Sequence, residues 1–201
     1  MNDSLQLLLR ELECFGAEND ALATQRHEKM LNITPETGQL LAILILGTRA
    51  RRILEIGTSN GYSTLWLADA VRAAHGSVVT VEVSAGKAEL ARQNLERAGL
   101  SRWVRQEVMD AGQFLSGQAA SQFDMIFLDS DRGQYTAWWP RLQRVLVPGG
   151  MLVVDNAVSH AAEMEGFIMQ VRGASGWRTA VVPIGNGELL ALSPSNEAAE
   201  S

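Results

Sequence analysis

Residues 52–67, RILEIGTSNGYSTLWL, constrain this chain more than any other stretch. Ile53, Leu54 and Ile56 form a short apolar run, the kind a strand carries when both its faces are buried. The segment from Gly57 to Gly61 then turns sharply. Residues 62–70 read as a helix, with Leu65, Trp66 and Ala70 able to face the sheet. A strand, a glycine turn and a helix start together make a ligand cradle, because backbone can approach the ligand and the helix offers unpaired N–H groups. A dinucleotide fingerprint needs G-x-G-x-x-G, but position 59 is a serine. A P-loop needs Gly-Lys-Ser/Thr, and no such triplet occurs. What stands here is an acid, Glu55, followed by G-x-x-x-G. Taken alone, that spacing does not separate a cofactor loop from an ordinary strand–turn–helix corner.

The same alternation continues downstream. Residues 78–83 (VVTVEV) predict a second strand, with Glu82 near its end, and residues 84–98 a helix closed by Gly99. A weaker third strand covers 104–109, followed by Asp110 and Ala111. Residues 123–128 (FDMIFL) predict a fourth, ending in Asp129. A helix over 134–146 should stop at Val147-Pro148-Gly149-Gly150. Residues 151–154 predict a fifth strand, ending in Asp155-Asn156, and 161–172 a helix. Residues 177–182 and 188–192 read as a closing hairpin across 183–187. Strands alternating with helices predict an α/β fold: a doubly wound, mostly parallel seven-stranded sheet with an antiparallel edge.

Upstream, Ser4 is positioned to cap a helix through Leu5, Leu8, Leu9, Leu12 and Phe15, and the polar residues 18–30 read as helical too. Residues 1–30 are expected to pack as an arm on the domain; a lid over the substrate is the other use such an arm has. Thr34 is a natural N-cap with Pro35 at the first helical position. The helix that follows carries Leu40, Leu41, Ile43, Leu44 and Leu46, apolar on nearly all sides, and is expected to be buried. The domain then spans residues 31–194, before a polar, disordered tail at 195–201.

With 201 residues, 46% of them hydrophobic, the chain can bury one full core. Its net charge of −6 argues against a nucleic-acid surface, although a local basic patch would be compatible with it. A lone cysteine, Cys14, excludes an internal disulfide and fits the reducing cytoplasm. The start has no signal-peptide pattern, and the apolar run 40–46 is too short to span a bilayer.

Acidic residues gather at the carboxyl ends of the predicted strands, where ligands bind in such folds: Glu55, Glu82, Asp110, Asp129, and Asp155 beside Asn156. A strand end is a costly place for a carboxylate without a partner. Glu82 is placed to accept both hydroxyls of a ribose, or else to cap the helix near Ser84. Asp110 could accept from an adenine amino group with Ala111 beside the ring, or could cap a helix; the residues leave both open. Asp129, Asp155 and Asn156 offer two carboxylates and an amide oxygen, a set that suits a hard cation such as Mg²⁺ and disfavours zinc. Taken singly, each acid could instead cap the loop that follows it.

Together these stretches resemble the Mg²⁺-dependent S-adenosylmethionine O-methyltransferases of the catechol and caffeoyl-CoA type, particularly small bacterial members. The likeness rests on LEIGTSNGYS (54–63), VEV (81–83), FDMIFLDSDRGQY (123–135), LVPGGMLVVDNAV (146–158) and IGNGELLAL (184–192). It implies a class I methyltransferase fold and a homodimer. It further implies that Ile33, Glu55, Gly57, Thr58 and Ser63 hold the methionine end of S-adenosylmethionine, Glu82 the ribose, and Asp110 and Ala111 the adenine. Asp129, Asp155 and Asn156 would bind Mg²⁺, or Mn²⁺ or Ca²⁺ in its place, with Asp129 also at the cofactor. Asp131 and His160 fall where that family places groups in contact with substrate.

The implied acceptor is a small molecule with vicinal hydroxyls, one of which would ionise more readily against the cation. One position departs from the pattern. The relatives typically carry a lysine, the proposed general base, three residues after the metal aspartate; here that residue is Arg132. A guanidinium stays protonated at any working pH, so its expected role is to stabilise an anionic group, leaving proton removal to metal-bound water, Asp131 or His160. Two other readings are a transfer-RNA hydroxyuridine methyltransferase and a non-catalytic cofactor-binding protein; a nicotinamide oxidoreductase is disfavoured by the glycine spacing. The pair Trp138-Trp139, spaced with Tyr135 and Leu142, reads as core or interface.

Overall fold

In the computed structural model, residues 1–195 are described; the predicted tail therefore lies almost wholly outside them. Seven strands form one sheet in the order β3-β2-β1-β4-β5-β7-β6. They are β1 (Arg52–Ile56), β2 (Ser77–Glu82), β3 (Val104–Val108), β4 (Phe123–Leu128), β5 (Leu146–Val154), β6 (Arg178–Val182) and β7 (Glu188–Leu192). The first five run parallel, whereas β7 pairs antiparallel with both β5 and β6. The expected α/β sheet with its antiparallel edge is present.

Strands alternate their side chains between two faces, and each face has its own core. Leu54, Ile56, Ile126, Leu128, Leu152 and Val154 point to one side. There they meet α5 (Ala111–Gly117), α6 (Tyr135–Val145) and α7 (Ala161–Arg172). Ile53, Val78, Met125, Phe127 and Val153 point to the other. That side is covered mainly by α1 (Asp3–Leu22), α2 (Pro35–Thr48) and α3 (Tyr62–Ala73), with α4 (Ala85–Arg97) beside them. The two tryptophans of α6 are buried: Trp139 packs edge-on against Phe167, 5.9 Å between centroids, and lies 4.7 Å from Trp177.

Several local expectations change. Asn2, not Ser4, caps α1, its side chain accepting from Leu5 N at 2.9 Å. The helix ends at Leu22, and residues 23–34 run without an α-helix, broken only by a single 3-10 turn at Arg26–Glu28. α2 begins with Thr34 as its cap and Pro35 in the first turn, as expected. It is not buried all round, however: Ile43 is 67% and Leu46 50% exposed. The Val147-Pro148-Gly149-Gly150 stretch does not sit between elements but opens β5, with a register irregularity opposite Phe123 and Met125. Proline and glycine are tolerated there because the strand is irregular at that point.

The strand order reverses between β1 and β4. β2 and β3 extend the sheet one way from β1, and β4 and β5 extend it the other way. A crevice must open beyond the carboxyl ends of the strands at such a reversal.

Candidate active site

That crevice is a cavity of about 1060 Å³, lined by the loop after β1, the ends of β2, β4 and β5, and residues 24–33. The loop after β1 is shaped by its glycines. Gly57 has φ +104°, and a Cβ there would overlap the carbonyl oxygen of Asp129 on the neighbouring strand; Gly61, φ +85°, is pressed against Ala91 of α4. These glycines are therefore required first by the chain's own packing, not by close approach of a ligand. Between them Ser59 also adopts a left-handed conformation, φ +48°. Its N–H donates to Glu82 Oε2 at 2.9 Å and its hydroxyl to the carbonyl of Met30 at 2.7 Å. The other Glu82 oxygen accepts from Ser84 N at 2.9 Å. Glu82 lines the cavity with its carboxylate fixed by two backbone amides.

Glu55 does not reach the cavity. It has no exposed surface, and its oxygens accept from Ser63 Oγ at 2.6 Å, Thr64 Oγ1 at 2.5 Å and Thr80 Oγ1 at 2.6 Å. Burial raises its pKa to about 7, and these three hydroxyls hold it from rising further. Glu55 thus braces β1, β2 and α3 beneath the loop; its partner Ser63 lines the cavity, as does Thr58, which is hydrogen-bonded to Thr80. Asp110 caps α5, accepting from Gln113 N at 2.8 Å; neither it nor Ala111 lines the cavity, whereas Ile33 and Gly57 do.

Residues 24–33 form a strap across this opening. Asp20 at the end of α1 accepts from Met30 N at 2.6 Å and Leu31 N at 2.8 Å. Lys87 Nζ donates to the carbonyl of Lys29, and Asn19 Nδ2 to that of Glu28. In the amino-terminal arm, α1 packs on the core, and the strap that follows it walls the cavity.

At the far side, Asp129 and Asp155 follow β4 and β5. Asn156, held in a left-handed conformation with φ +68°, places its amide nitrogen 2.8 Å from Asp155 Oδ2 and 3.4 Å from Asp129 Oδ1. Both carboxyls rise above the ordinary range. Burial is the larger cause in each, and for Asp129 the neighbouring charges of Asp155 and Glu55 add to it. Among the described residues no three His, Cys, Asp or Glu side chains form a metal-holding group, so a cation here would depend on Asn156 as its third donor. The set fits one. Two buried carboxylates, of which Asp155 raises the pKa of Asp129, converge on a single point, and a weakly positive amide NH₂ now stands there.

The remaining predicted residues ring this point. Arg132 is 8% exposed; its Nε donates to Glu163 Oε2 at 2.9 Å, and its Nη2 is buried without a partner. Its positive charge opposes the rise of Asp129 and Asp155. Asp131 accepts from Gly133 N at 3.1 Å, capping the turn Arg132–Gln134. His160 Nδ1 lies 2.9 Å from Ser159 Oγ, which donates to Asn156 Oδ1 at 3.1 Å. All three line the cavity.

Two contributors escaped the sequence reading. The strap residues 24–32 carry no motif. Glu188 does carry a signal, an acid opening the apolar strand ELLAL. It has no exposed surface, and its pKa is pushed up to about 9 by burial and by the negative charge of the adjacent Asp155.

A family model for O-methyltransferases matches residues 7–172. A catechol O-methyltransferase from Niastella koreensis is 33% identical over 155 residues, which is 73% of this chain and 70% of the relative. Another, from Mycobacterium tuberculosis, is 40% identical over 129 residues, 63% of this chain and 57% of the relative. An O-methyltransferase from Bacillus cereus, solved in complex with SAH, superposes with a TM-score of 0.77 at 26% identity, covering 96% of this chain and 91% of that one. With its sheet order, its loop after β1 and a family match across most of its length, the chain belongs to the O-methyltransferase family.

Proposed function

We propose that this protein moves a methyl group from S-adenosylmethionine to a hydroxyl of a small acceptor with vicinal hydroxyls, catechol-like or hydroxycinnamoyl-like, with a divalent cation held by Asp129, Asp155 and Asn156. The observation that carries this reading is the convergence of those three side chains on one point of the cavity. The relatives named catechol O-methyltransferases support the acceptor class, and the SAH-bound neighbour supports the cofactor.

When bound, the sulfonium cofactor supplies the methyl group, and a Mg²⁺-type cation supplies Lewis acidity that favours the ionised acceptor hydroxyl. The chain's own work is placement and charge. Asp129, Asp155 and Asn156 hold the cation. Glu82 offers its carboxylate to a ribose, and the Gly57–Gly61 loop and Ile33 flank the methionine end. Arg132 keeps a fixed positive charge beside the two aspartates, which favours an oxyanion there without taking its proton. His160 and Asp131 are the titratable groups left to take that proton. Holding the reactants in line accounts for much of the gain such an enzyme needs. The exposed Ile43 and Leu46 of α2 are consistent with a homodimer.

The test is transfer of labelled methyl from S-adenosylmethionine to catechol, a caffeate ester and transfer RNA, each with Mg²⁺ and with chelator. The expected result is labelling of the diols only, and only with the cation. Labelling of transfer RNA alone would replace the acceptor class. No labelling of any acceptor, with the cofactor bound, would favour a non-catalytic binding protein.

A further inference from the structure

β7 opens with an acid where its pattern calls for an apolar residue: Leu189 and Ala191 beyond it are core, and Glu188 is as buried as they are. A carboxyl in that position must be accounted for by its partners. One oxygen accepts from Thr37 Oγ1, in the first turn of α2, at 2.9 Å. The other, Oε2, meets no donor. On that side the carboxyl faces Asp155: β7 runs antiparallel to β5 with Leu189 opposite Val154, which sets Glu188 beside Asp155 one residue further along.

The residues just before Glu188 act on the same corner. The carbonyl of Asn186 accepts from Ser159 N at 2.9 Å and Val158 N at 3.3 Å, and that of Gly187 from Ala157 N at 2.7 Å. Those three amides belong to the loop directly after Asn156. The turn itself is seated on the start of α2: a Cβ on Gly185 would run into the hydroxyls of Thr34 and Thr37. One short segment, 185–188, therefore backs Asp155 by a side chain and the Asn156 loop by two carbonyls, and is itself anchored to a helix.

We infer that Glu188, with Thr37 behind it, is a positioning residue of the cation site: it sets the orientation of the Asp155 carboxyl before a cation arrives. This rests on the reading of Asp129, Asp155 and Asn156 as cation ligands. Partners of ligating carboxylates commonly alter metal affinity on the order of 10- to 100-fold. Glu188 is the partner in this chain.

The experiment measures Mn²⁺ affinity by electron paramagnetic resonance on the full chain, for wild type, Glu188→Gln, Glu188→Leu and Thr37→Val. The affinity for S-adenosylhomocysteine and the unfolding midpoint are followed alongside. Glu188→Leu should weaken Mn²⁺ binding on the order of 10- to 100-fold while S-adenosylhomocysteine binding and the midpoint hold. Glu188→Gln should stay close to wild type, because its amide can donate to Asp155 and accept from Thr37. Thr37→Val should fall between them. Unchanged Mn²⁺ affinity in Glu188→Leu, or a parallel loss of all three readouts, would overturn the inference. If Glu188→Leu does not fold, Thr37→Val decides: unchanged affinity overturns the inference and a selective loss supports it. A wild type that binds no Mn²⁺ would overturn the cation site itself, a result distinct from failure of the variants alone.

Discussion

Arg132 is held rigidly for a charged side chain. Glu163 fixes its Nε, burial confines the guanidinium, and its field reaches both Asp129 and Asp155. A lysine in its place would keep the charge but lose the Nε bond to Glu163, and a lysine in such a site can titrate. Arg132→Lys should therefore retain part of the activity and shift the pH profile of kcat. Arg132→Ala should lower kcat on the order of 10²-fold, the usual effect of removing one electrostatic contact to a developing oxyanion. Steady-state rates across pH 6 to 9 check both, and a Lys variant identical to wild type in rate and profile would remove Arg132 from the reaction. At this scale the meeting of Asp129, Asp155 and Asn156, from two adjacent strand ends, was legible only as a set, since each acid alone could have capped a loop. Glu55 was not, because nothing in its spacing says that three hydroxyls from α3 and β2 turn it inward. Asp110 was left between two roles, and the observed capping bond is the local one of the two.

The loop after β1 and the strap are the two elements on which the cavity depends. Gly57 lies against the backbone of Asp129, so Gly57→Ala should both strain the loop and displace Asp129, a proposed cation ligand. A loss of more than ~2 kcal/mol in urea unfolding is expected, as for other clashes at a left-handed glycine, with weakened cation binding in what remains folded. The strap is different: its Met30 and Ile33 are buried, and polar bonds latch the rest. Asp20 accepts two of its amides, and backbone to carboxylate bonds of this kind are worth about 1.5–3 kcal/mol each. Asp20→Ala should speed amide exchange at Met30 and Leu31 and weaken S-adenosylhomocysteine binding, while protection in β1 and β4 is kept. Equal exchange in both proteins would mean that the strap is held by something else.

Periodicity found every strand and most helices because burial on two faces leaves a plain pattern. It overextended the polar run 18–30 into a helix, since polar residues neither confirm nor forbid one. It also buried α2 completely, since an apolar helix looks alike whether its outer face meets solvent or a partner. It broke β5 at Pro148 and Gly149, residues that a strand irregularity accommodates.

For the molecule as a whole, the feature with the widest consequence is the acid cluster under the cavity. Glu55, Asp129, Asp155 and Glu188 all have raised pKa values, to about 7 for Glu55 and about 9 for Glu188, chiefly because folding buries them. In the unfolded chain each ionises near its ordinary value, 4.5 for the two glutamates. Between those limits the folded state binds more protons than the unfolded one, so stability falls as pH rises. The contribution is complete below about pH 4.5 and gone above about pH 9. The acids shifted downward, such as Glu89 and Asp124, act in the opposite sense only in more acidic solution and do not compete in this window. The cation-free protein should therefore lose several degrees of its unfolding midpoint from about pH 5 to 9, each kcal/mol being worth ~2–4 °C in a chain of this size. Glu188→Gln should flatten the upper half of that fall. Added Mg²⁺ should raise the midpoint more at pH 8.5 than at pH 5, roughly as expected for ligands that must lose protons to bind. Calorimetry in chelator and in Mg²⁺ measures all three. A midpoint that holds level or climbs with pH in chelator would mean that these four acids are not buried as described, and the case for a cation between Asp129 and Asp155 would lose its support.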